Sequence, residues 1–137
     1  MTDNDDGRLK KGYKEPAPVT PVFVFGSNLQ GRHGKGAALF AYHERGATYG
    51  QGEGRQGNSY AIPTKATPYL PLTLEEIHGY VTRFLEYARG LPGTQFRLTP
   101  IGCGHAGHRA DQIAPMFKGA PENVIMPTEF KKVLDAG

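Results

Sequence analysis

The sequence is poor in cysteine, in long apolar runs and in charge of one sign. Its single cysteine, Cys103, excludes an internal disulfide framework and a cysteine-rich zinc site. No run approaches the roughly 18 apolar residues of a membrane helix, so we expect a cytoplasmic protein with no membrane partner. Lysine and arginine exceed aspartate and glutamate by only 16 − 13 = 3, which does not by itself indicate nucleic acid. At 137 residues, the chain has the length of about one domain.

Glycine is what the sequence has in excess. Twelve of its 19 glycines fall in residues 26–57 and 102–107. Such clustering indicates that the backbone comes close to another group, because glycine has no side chain to hold that group away. Residues 1–20, by contrast, hold almost no apolar side chains. We therefore expect a disordered polar tail over residues 1–20 and one domain over residues 21–137.

Apolar patterning predicts strands that alternate with helices. The strands are predicted at 21–25, 59–64, 95–101 and 123–127, and the helices at 37–44, 74–89, 110–117 and 128–134. Thr73 and Glu76 form a capping box before the second helix. An apolar stripe follows at helical spacing, namely Leu74, Ile77, Val81, Phe84, Leu85 and Ala88. Residues 49–57 are predicted to form a loop. The alternation predicts an α/β fold with three α/β/α layers, in which a mostly parallel sheet is covered on both faces.

Two glycine-rich loops each follow a predicted strand and precede a predicted helix. We call residues 26–36 the first glycine loop and residues 102–107 the second glycine loop. In open α/β sheets, ligands bind beyond the carboxyl ends of the strands, where helix N-termini favour anions. The sequence therefore predicts a crevice between the two loops that holds a phosphate-bearing ligand.

The second glycine loop also leaves other interpretations open. Its sequence GCGHAG has the Gly-x-Gly-x-x-Gly spacing of dinucleotide-binding folds, so a Rossmann-type oxidoreductase is one alternative. Cys103, near a helix start, is a candidate nucleophile, although a small residue required by the loop is the simpler interpretation. His33, His105 and His108 lack acidic or thiolate partners at ligand spacing, so we predict no metal site.

Two charged residues are candidates for catalysis. Glu53 lies in the long predicted loop, and a flexible loop can supply a general base. Lys65 follows the second predicted strand at the ligand edge, where a cation neutralises phosphate or activates a hydroxyl. Arg32, Lys35, Arg55 and Lys65 are together an alternative nucleic-acid patch. Few aromatic residues are interleaved with them in the sequence, which favours a small anionic ligand.

These segments resemble a macro domain, the fold that binds ADP-ribose. VFVFGSN ends at Asn28, where the family holds the distal ribose, and RHGKGAA and PIGCGHAG are similar to its two ligand loops. The resemblance extends from Val22 to Met126. It implies ligand contacts from residues in both loops: Gly26, Ser27, Asn28, Arg32, His33, Gly34, Gly36, Ala37, Gly102, Cys103, Gly104, His105, Ala106 and Gly107.

The closer resemblance is to the branch with terminal ADP-ribose glycohydrolases and the antitoxins that remove ADP-ribose from DNA. AIPTK places Lys65 where this branch has Ile-Thr-Lys, whereas Ala106 stands in place of its catalytic aspartate. The family's adenine-binding Gly-Asp-Ile element is not found in residues 1–20.

We expect a monomer. The resemblance implies that it binds ADP-ribose, either free or attached to a protein or nucleic acid. Hydrolysis of an ADP-ribosyl bond would use Lys65 and Glu53 without a cofactor. A reader or sponge that binds the nucleotide without turnover is the alternative.

Overall fold

The computed structural model describes residues 20–136, so the predicted tail, apart from Thr20, lies outside the described residues. The strands are β1 (Val22–Asn28), β2 (Gly54–Gln56), β3 (Ser59–Thr67), β4 (Leu70–Pro71), β5 (Phe96–Leu98) and β6 (Val124–Ile125). The helices are α1 (Gly36–Glu44), α2 (Leu74–Arg89), α3 (Ala110–Ile113) and α4 (Thr128–Ala136), and a 3-10 turn (Ala114–Phe117) follows α3.

These strands form one mostly parallel sheet, as predicted. Its order is β2-β3-β1-β5-β6, and β4 pairs with β3 outside this path. β1 is parallel to β3 and β5, and β5 is parallel to β6, whereas β2 and β4 run antiparallel to β3. The carboxyl end of β1 is therefore flanked by the carboxyl ends of β3 and β5.

Both faces of the sheet are covered, which gives the predicted three layers. On one face, α1 packs through small side chains against Phe25 and Ala61. On the other face, α2, α3 and α4 enclose a larger core around Val22, Val24 and Ile62. Successive residues of a strand point to opposite faces. Burial on both sides therefore explains why β1 is a continuous apolar run rather than an alternating one.

The longest helix, α2, has the start signal and the apolar stripe that were predicted for it. Thr73 Oγ1 accepts from the Glu76 N–H at 3.1 Å, and Glu76 Oε1 accepts from the Thr73 N–H at 2.9 Å. Gly90 ends the helix. Leu74 of the predicted stripe is half-buried, and its other five residues are buried, namely Ile77, Val81, Phe84, Leu85 and Ala88. Between residues 20 and 136, no helix is long and apolar enough to cross a membrane.

The structure adds the unpredicted β4, extends β3 to Thr67 and ends β5 at Leu98. Three further departures have identifiable causes. β1 continues to Asn28 because it stays paired with β3 through a register shift after Ser27. The segment 49–57, predicted to be a loop, contains β2, because it pairs antiparallel with β3. The predicted helix 110–117 divides into α3 and the 3-10 turn, since Pro115 has no N–H to donate to an α-helical bond.

Candidate functional site

The carboxyl ends of the central strands bring the two glycine loops together. A Cβ added to Gly26 would lie 3.3 Å from Thr64 Oγ1 and 3.4 Å from Ile101 Cβ. A Cβ added to Gly102 would lie 3.1 Å from Ile113 Cδ1 and 3.8 Å from Thr64 Cγ2. Both loops therefore begin beside the buried Thr64 of β3, at the edge of the sheet where the crevice was predicted.

Asn28, the last residue of β1, uses its side chain to shape the first glycine loop. Its Nδ2 donates to the carbonyl oxygen of Arg32, and its Oδ1 accepts from the Arg32 N–H, both at 3.0 Å. Asn28 is only 4% exposed. The resemblance implies that this amide contacts a ribose, whereas here it closes a turn of its own chain.

Part of the first glycine loop packs against the backbone of the segment before β2. Ser27 is buried, and its Oγ donates to the carbonyl oxygen of Gly52. A Cβ on Gly31 would stand 2.3 Å from the Gln51 nitrogen, and one on Gly52 would stand 2.4 Å from the Asn28 oxygen. Real Cβ atoms do not come that close to backbone atoms. Gly31 and Gly52 are therefore required by packing within the chain.

His33 is buried inside the protein, at odds with our prediction that it contacts a ligand. It is 1% exposed, and its Nε2 lies 3.2 Å from Gln56 Oε1. The imidazole packs edge-on against the rings of Phe25 and Tyr49, with centroid distances of 5.3 and 6.2 Å. The residues around His33 in the sequence do not indicate its contact with Gln56, because Gln56 lies 23 residues further along the chain.

The start of α1 is open to solvent and flanked by cations. Gly34, Gly36 and Ala37 are exposed, and a Cβ on either glycine would meet no atom within 4 Å. Lys35 is the N-cap residue, its side chain makes no capping hydrogen bond, and the first turn holds no acidic residue. Arg32 is also exposed. The free N–H groups and the dipole of α1 therefore favour an anion at this position.

Lys65 lies two residues before the end of β3, near enough to Lys35 for the charge of Lys35 to act on it. In the parallel ladder it pairs with Asn28, and its Nζ donates to the carbonyl oxygen of Pro68 at 3.3 Å. Partial burial, followed by the positive charge of Lys35, lowers the pKa of the Lys65 ammonium. A bound anion would offset the repulsion between the two lysines.

The carboxylate of Glu53 binds an arginine of α2 and not Lys65. Oε2 lies 2.7 Å from Arg83 Nε, and Oε1 accepts from Arg83 Nη2 at 3.0 Å. Burial, and then the charge of Glu53, raise the pKa of the neighbouring Tyr60 to about 12. Among residues 20–136, no hydrogen bond or ion pair joins Glu53 to Lys65.

The second glycine loop alternates between buried and exposed residues. Gly104 and His105 are exposed, whereas Gly102 and Ala106 are buried. The loop is held by its own backbone, because the Gly107 N–H donates to the Gly104 oxygen at 3.0 Å. Three of the predicted contact residues in this loop, Gly104, His105 and Gly107, are exposed. Ala106, which stands where the resemblance places a catalytic aspartate, is 7% exposed.

Cys103 is half-buried, and its surroundings do not favour a nucleophilic thiolate. Its Sγ lies 3.5 Å from the Ile101 carbonyl oxygen. Burial, and then the negative charge of Glu129, raise the pKa of the Cys103 thiol, which disfavours the reactive thiolate. The helix after this loop, α3, has only four residues. That length disfavours the Rossmann alternative, in which a full helix follows the glycine loop.

Three residues of the site were missed by the reading of the sequence. Thr64 lies between the two loops, Lys35 is the uncapped helix start, and Arg83 binds Glu53. The sequence analysis names Lys35 only as part of a basic patch. No acidic residue lies between Lys35 and Glu44, and that absence indicates a helix start without its own anion. Arg83 carried no such signal, because 30 residues separate it from Glu53.

A scan against protein-family models finds no match to this chain, and searches of curated proteins and of solved structures find none either. The resemblance to macro domains therefore stays a prediction.

Proposed function

We propose that this protein binds ADP-ribose or a related NAD-derived nucleotide in the crevice between the first and second glycine loops. One observation carries the proposal. Gly34 and Gly104, one in each loop, have no positive φ and no atom within 4 Å of an added Cβ. Neither backbone conformation nor packing within the chain requires glycine there. A ligand that lies against both backbones accounts for it.

The charges at the crevice support a diphosphate in particular. The open start of α1 supplies free N–H groups, and Lys35 and Lys65 supply two cations that repel each other. A diphosphate would neutralise both lysines and accept hydrogen bonds from both loops. A single small anion satisfies only one side of such a site.

Binding is favoured over hydrolysis by the position of the acidic groups. Glu53 is held by Arg83, and Ala106 cannot act as an acid or base. Hydrolysis of an ADP-ribosyl bond is the second candidate function, and it rests on Lys65. An ammonium with a lowered pKa yields more of the free amine at neutral pH, which is the form that acts as a nucleophile or base. We further propose that the protein acts as a monomer in the cytoplasm, where its free Cys103 stays reduced.

The two unexplained glycines give a direct test of the crevice. Gly34→Val and Gly104→Val introduce side chains into open space, so we expect both variants to fold with nearly unchanged stability. Each should weaken ADP-ribose binding by about tenfold or more, or about 1.4 kcal/mol, measured by titration calorimetry. Gly93→Val is the matched control, because Gly93 also has open space around it but lies before β5, at the opposite edge of the sheet.

The proposal fails if ADP-ribose binds no tighter than millimolar, or if Gly93→Val weakens binding as much as the crevice variants. Turnover separates the remaining alternatives. Chromatography of an ADP-ribosylated protein or oligonucleotide after incubation reveals released ADP-ribose if the protein is a hydrolase, and Lys65→Ala should then abolish the release. Binding without release identifies a reader or sponge. Tight binding of intact NAD with hydride transfer would identify the Rossmann alternative.

A further inference from the structure

An open cavity lies between α2 and the segment that follows β1. Its volume of about 340 Å³ is near the lower end of the range for ligand pockets. The apolar side of the cavity is formed by Leu29 and Leu72, and the α2 side is formed by Glu75, Glu76, Gly79, Tyr80 and Arg83. We call this cavity the α2 pocket. None of these residues is among the ligand contacts expected at the crevice between the glycine loops.

Gly79 is the residue of the α2 pocket that the fold does not explain. It is exposed in the interior of α2, and a Cβ added to it would meet no atom within 4 Å. Its φ is not positive. Glycine is, after proline, the least favourable residue in a helix interior, so neither conformation nor packing within residues 20–136 accounts for it. A group from outside the chain that lies against this turn of α2 would account for it.

Two carboxylates and one cation line the α2 pocket. The cation, Arg83, is neutralised from outside the pocket, because Glu53 Oε2 lies 2.7 Å from its Nε. Glu76 Oε1 accepts from the Thr73 N–H, which fixes this carboxylate at the helix start. Glu75 is exposed, and among residues 20–136 no basic side chain forms an ion pair with it. The pocket is therefore negative, on a chain whose net charge is +3.

Tyr80 adds an aromatic ring beside these carboxylates. The guanidinium carbon of Arg83 lies 5.9 Å from the centroid of this ring, so the ring already faces one cation. On the apolar side of the pocket, Leu29 is 43% exposed and offers apolar surface. Lysine and arginine side chains have the matching form, because a charged end follows an aliphatic stem. The lining therefore complements a long basic side chain.

We propose that the α2 pocket binds a lysine or arginine side chain of a partner protein. The stem of that side chain packs on Leu29 and Leu72, and its charged end pairs with Glu75. The main chain of the partner passes over Gly79, where no side chain holds it away. A free polyamine would satisfy the carboxylates without any need for this glycine. The binding goes beyond the proposed nucleotide function, because it requires no ADP-ribose.

Fluorescence anisotropy at low salt with a labelled peptide of five Lys-Gly repeats tests the proposal. Gly79→Leu should weaken peptide binding by about tenfold or more. It should also raise the urea midpoint of unfolding, since leucine is a much better helix former than glycine. A loss of binding in a more stable protein cannot come from unfolding. His78→Leu is the matched control, because His78 is the preceding exposed residue of α2 and does not line the pocket.

The charge of the pocket is tested separately with Glu75→Gln. This variant should weaken binding of the lysine peptide by roughly two- to fivefold, as expected for the loss of one exposed ion pair. The difference should shrink as salt is added. Glu86→Gln is the matched control, because Glu86 is exposed on the same helix but lies outside the pocket.

Three outcomes would overturn the proposal. They are absence of lysine-peptide binding at low salt, equal binding of a peptide of five Gln-Gly repeats, and equal losses in the pocket variants and their controls. Displacement of the peptide by an equal concentration of 1,5-diaminopentane would replace the partner protein with a free amine. Saturating ADP-ribose should leave the peptide bound, and displacement would place the peptide in the crevice instead. Peptide binding without ADP-ribose binding would leave this proposal standing while the proposed function fails.

Discussion

The starts of α1 and α2 lie near the same edge of the sheet but have opposite chemistry. At α2, Thr73 and Glu76 bind the free backbone N–H groups, and Glu75 adds a second negative charge to the first turn. At α1, the Lys35 side chain makes no capping hydrogen bond and the first turn holds no acidic residue. At α2, side chains of the helix itself satisfy the N-terminal N–H groups and the helix dipole. At α1, where cations surround the helix start, an anion from outside the chain would do so. The comparison separates a structural helix start from one available for binding.

The largest effect is expected at Gly31, in the loop that leads from β1 into α1. In Gly31→Ala, the new Cβ would stand 2.3 Å from the Gln51 nitrogen at a φ of +70°. We expect unfolding in urea to show a loss of about 3 kcal/mol or more, because backbone must shift to remove the clash. Gly34→Ala, with open space around it, should change stability by less than about 0.5 kcal/mol. Equal losses in the two variants would contradict the close packing described for this loop.

An intermediate effect is expected from giving α1 the chemistry of α2. Lys35→Asp supplies a side-chain cap and a negative charge, so it should stabilise the protein by about 1 kcal/mol in urea unfolding. It should also weaken ADP-ribose binding, since the new carboxylate occupies the anion position. Thr73→Ala on α2 should do the reverse to stability, with a loss of about 1 kcal/mol, and should leave ligand affinity unchanged. If Lys35→Asp binds ADP-ribose with unchanged affinity, the start of α1 is not part of the binding site.

The smallest expected effect is on the pH dependence of stability and of ADP-ribose affinity, through Lys65. Because the pKa of Lys65 is lowered from 10.5 in the folded protein, the unfolded chain holds this proton to higher pH. Stability relative to Lys65→Met should therefore rise with pH as the folded-state ammonium loses its proton, with no further change above about 10.5. Affinity for ADP-ribose should fall over the same range, because the neutral amine no longer attracts phosphate.

Lys35→Ala provides the control for this pH dependence. It removes the repulsion from Lys35, so both transitions should move to higher pH. Urea unfolding and calorimetry from neutral to alkaline pH measure them. Transitions that stay in place in Lys35→Ala would mean that burial alone lowers the pKa of Lys65.

Much of the fold could be predicted because its signals are local. The apolar run of β1 and the Thr73–Glu76 box with its apolar stripe are read within a few residues, and both were confirmed. β2 was not predicted, because residues 54–56 become a strand through their pairing with β3. Residues 54–56 are rich in glycine and polar side chains, and they form a strand only because β3 offers an open edge.

The candidate site was less predictable, because its residues are used across long sequence distances. The meeting of the two glycine loops followed from topology, since parallel strands end at one edge. The buried contact of His33 with Gln56 and the ion pair of Glu53 with Arg83 join residues 23 and 30 positions apart, and they did not follow from any spacing. Glycine was equally ambiguous in the sequence, because Gly31 faces its own backbone while Gly34, three residues later, faces open space.

The backbone contact between the first glycine loop and the segment before β2 also bears on how this protein can diversify. Gly31 and Gly52 touch facing backbone with no room for a methyl group, so neither of these two positions can accept a larger residue without a shift of the backbone. The second glycine loop has exposed residues at its tip, Gly104 and His105, and is closed mainly by its own backbone. Length and sequence changes are tolerated best in exposed loop tips. New ligand preferences would therefore arise in the second loop, while the first remains the fixed half of the crevice.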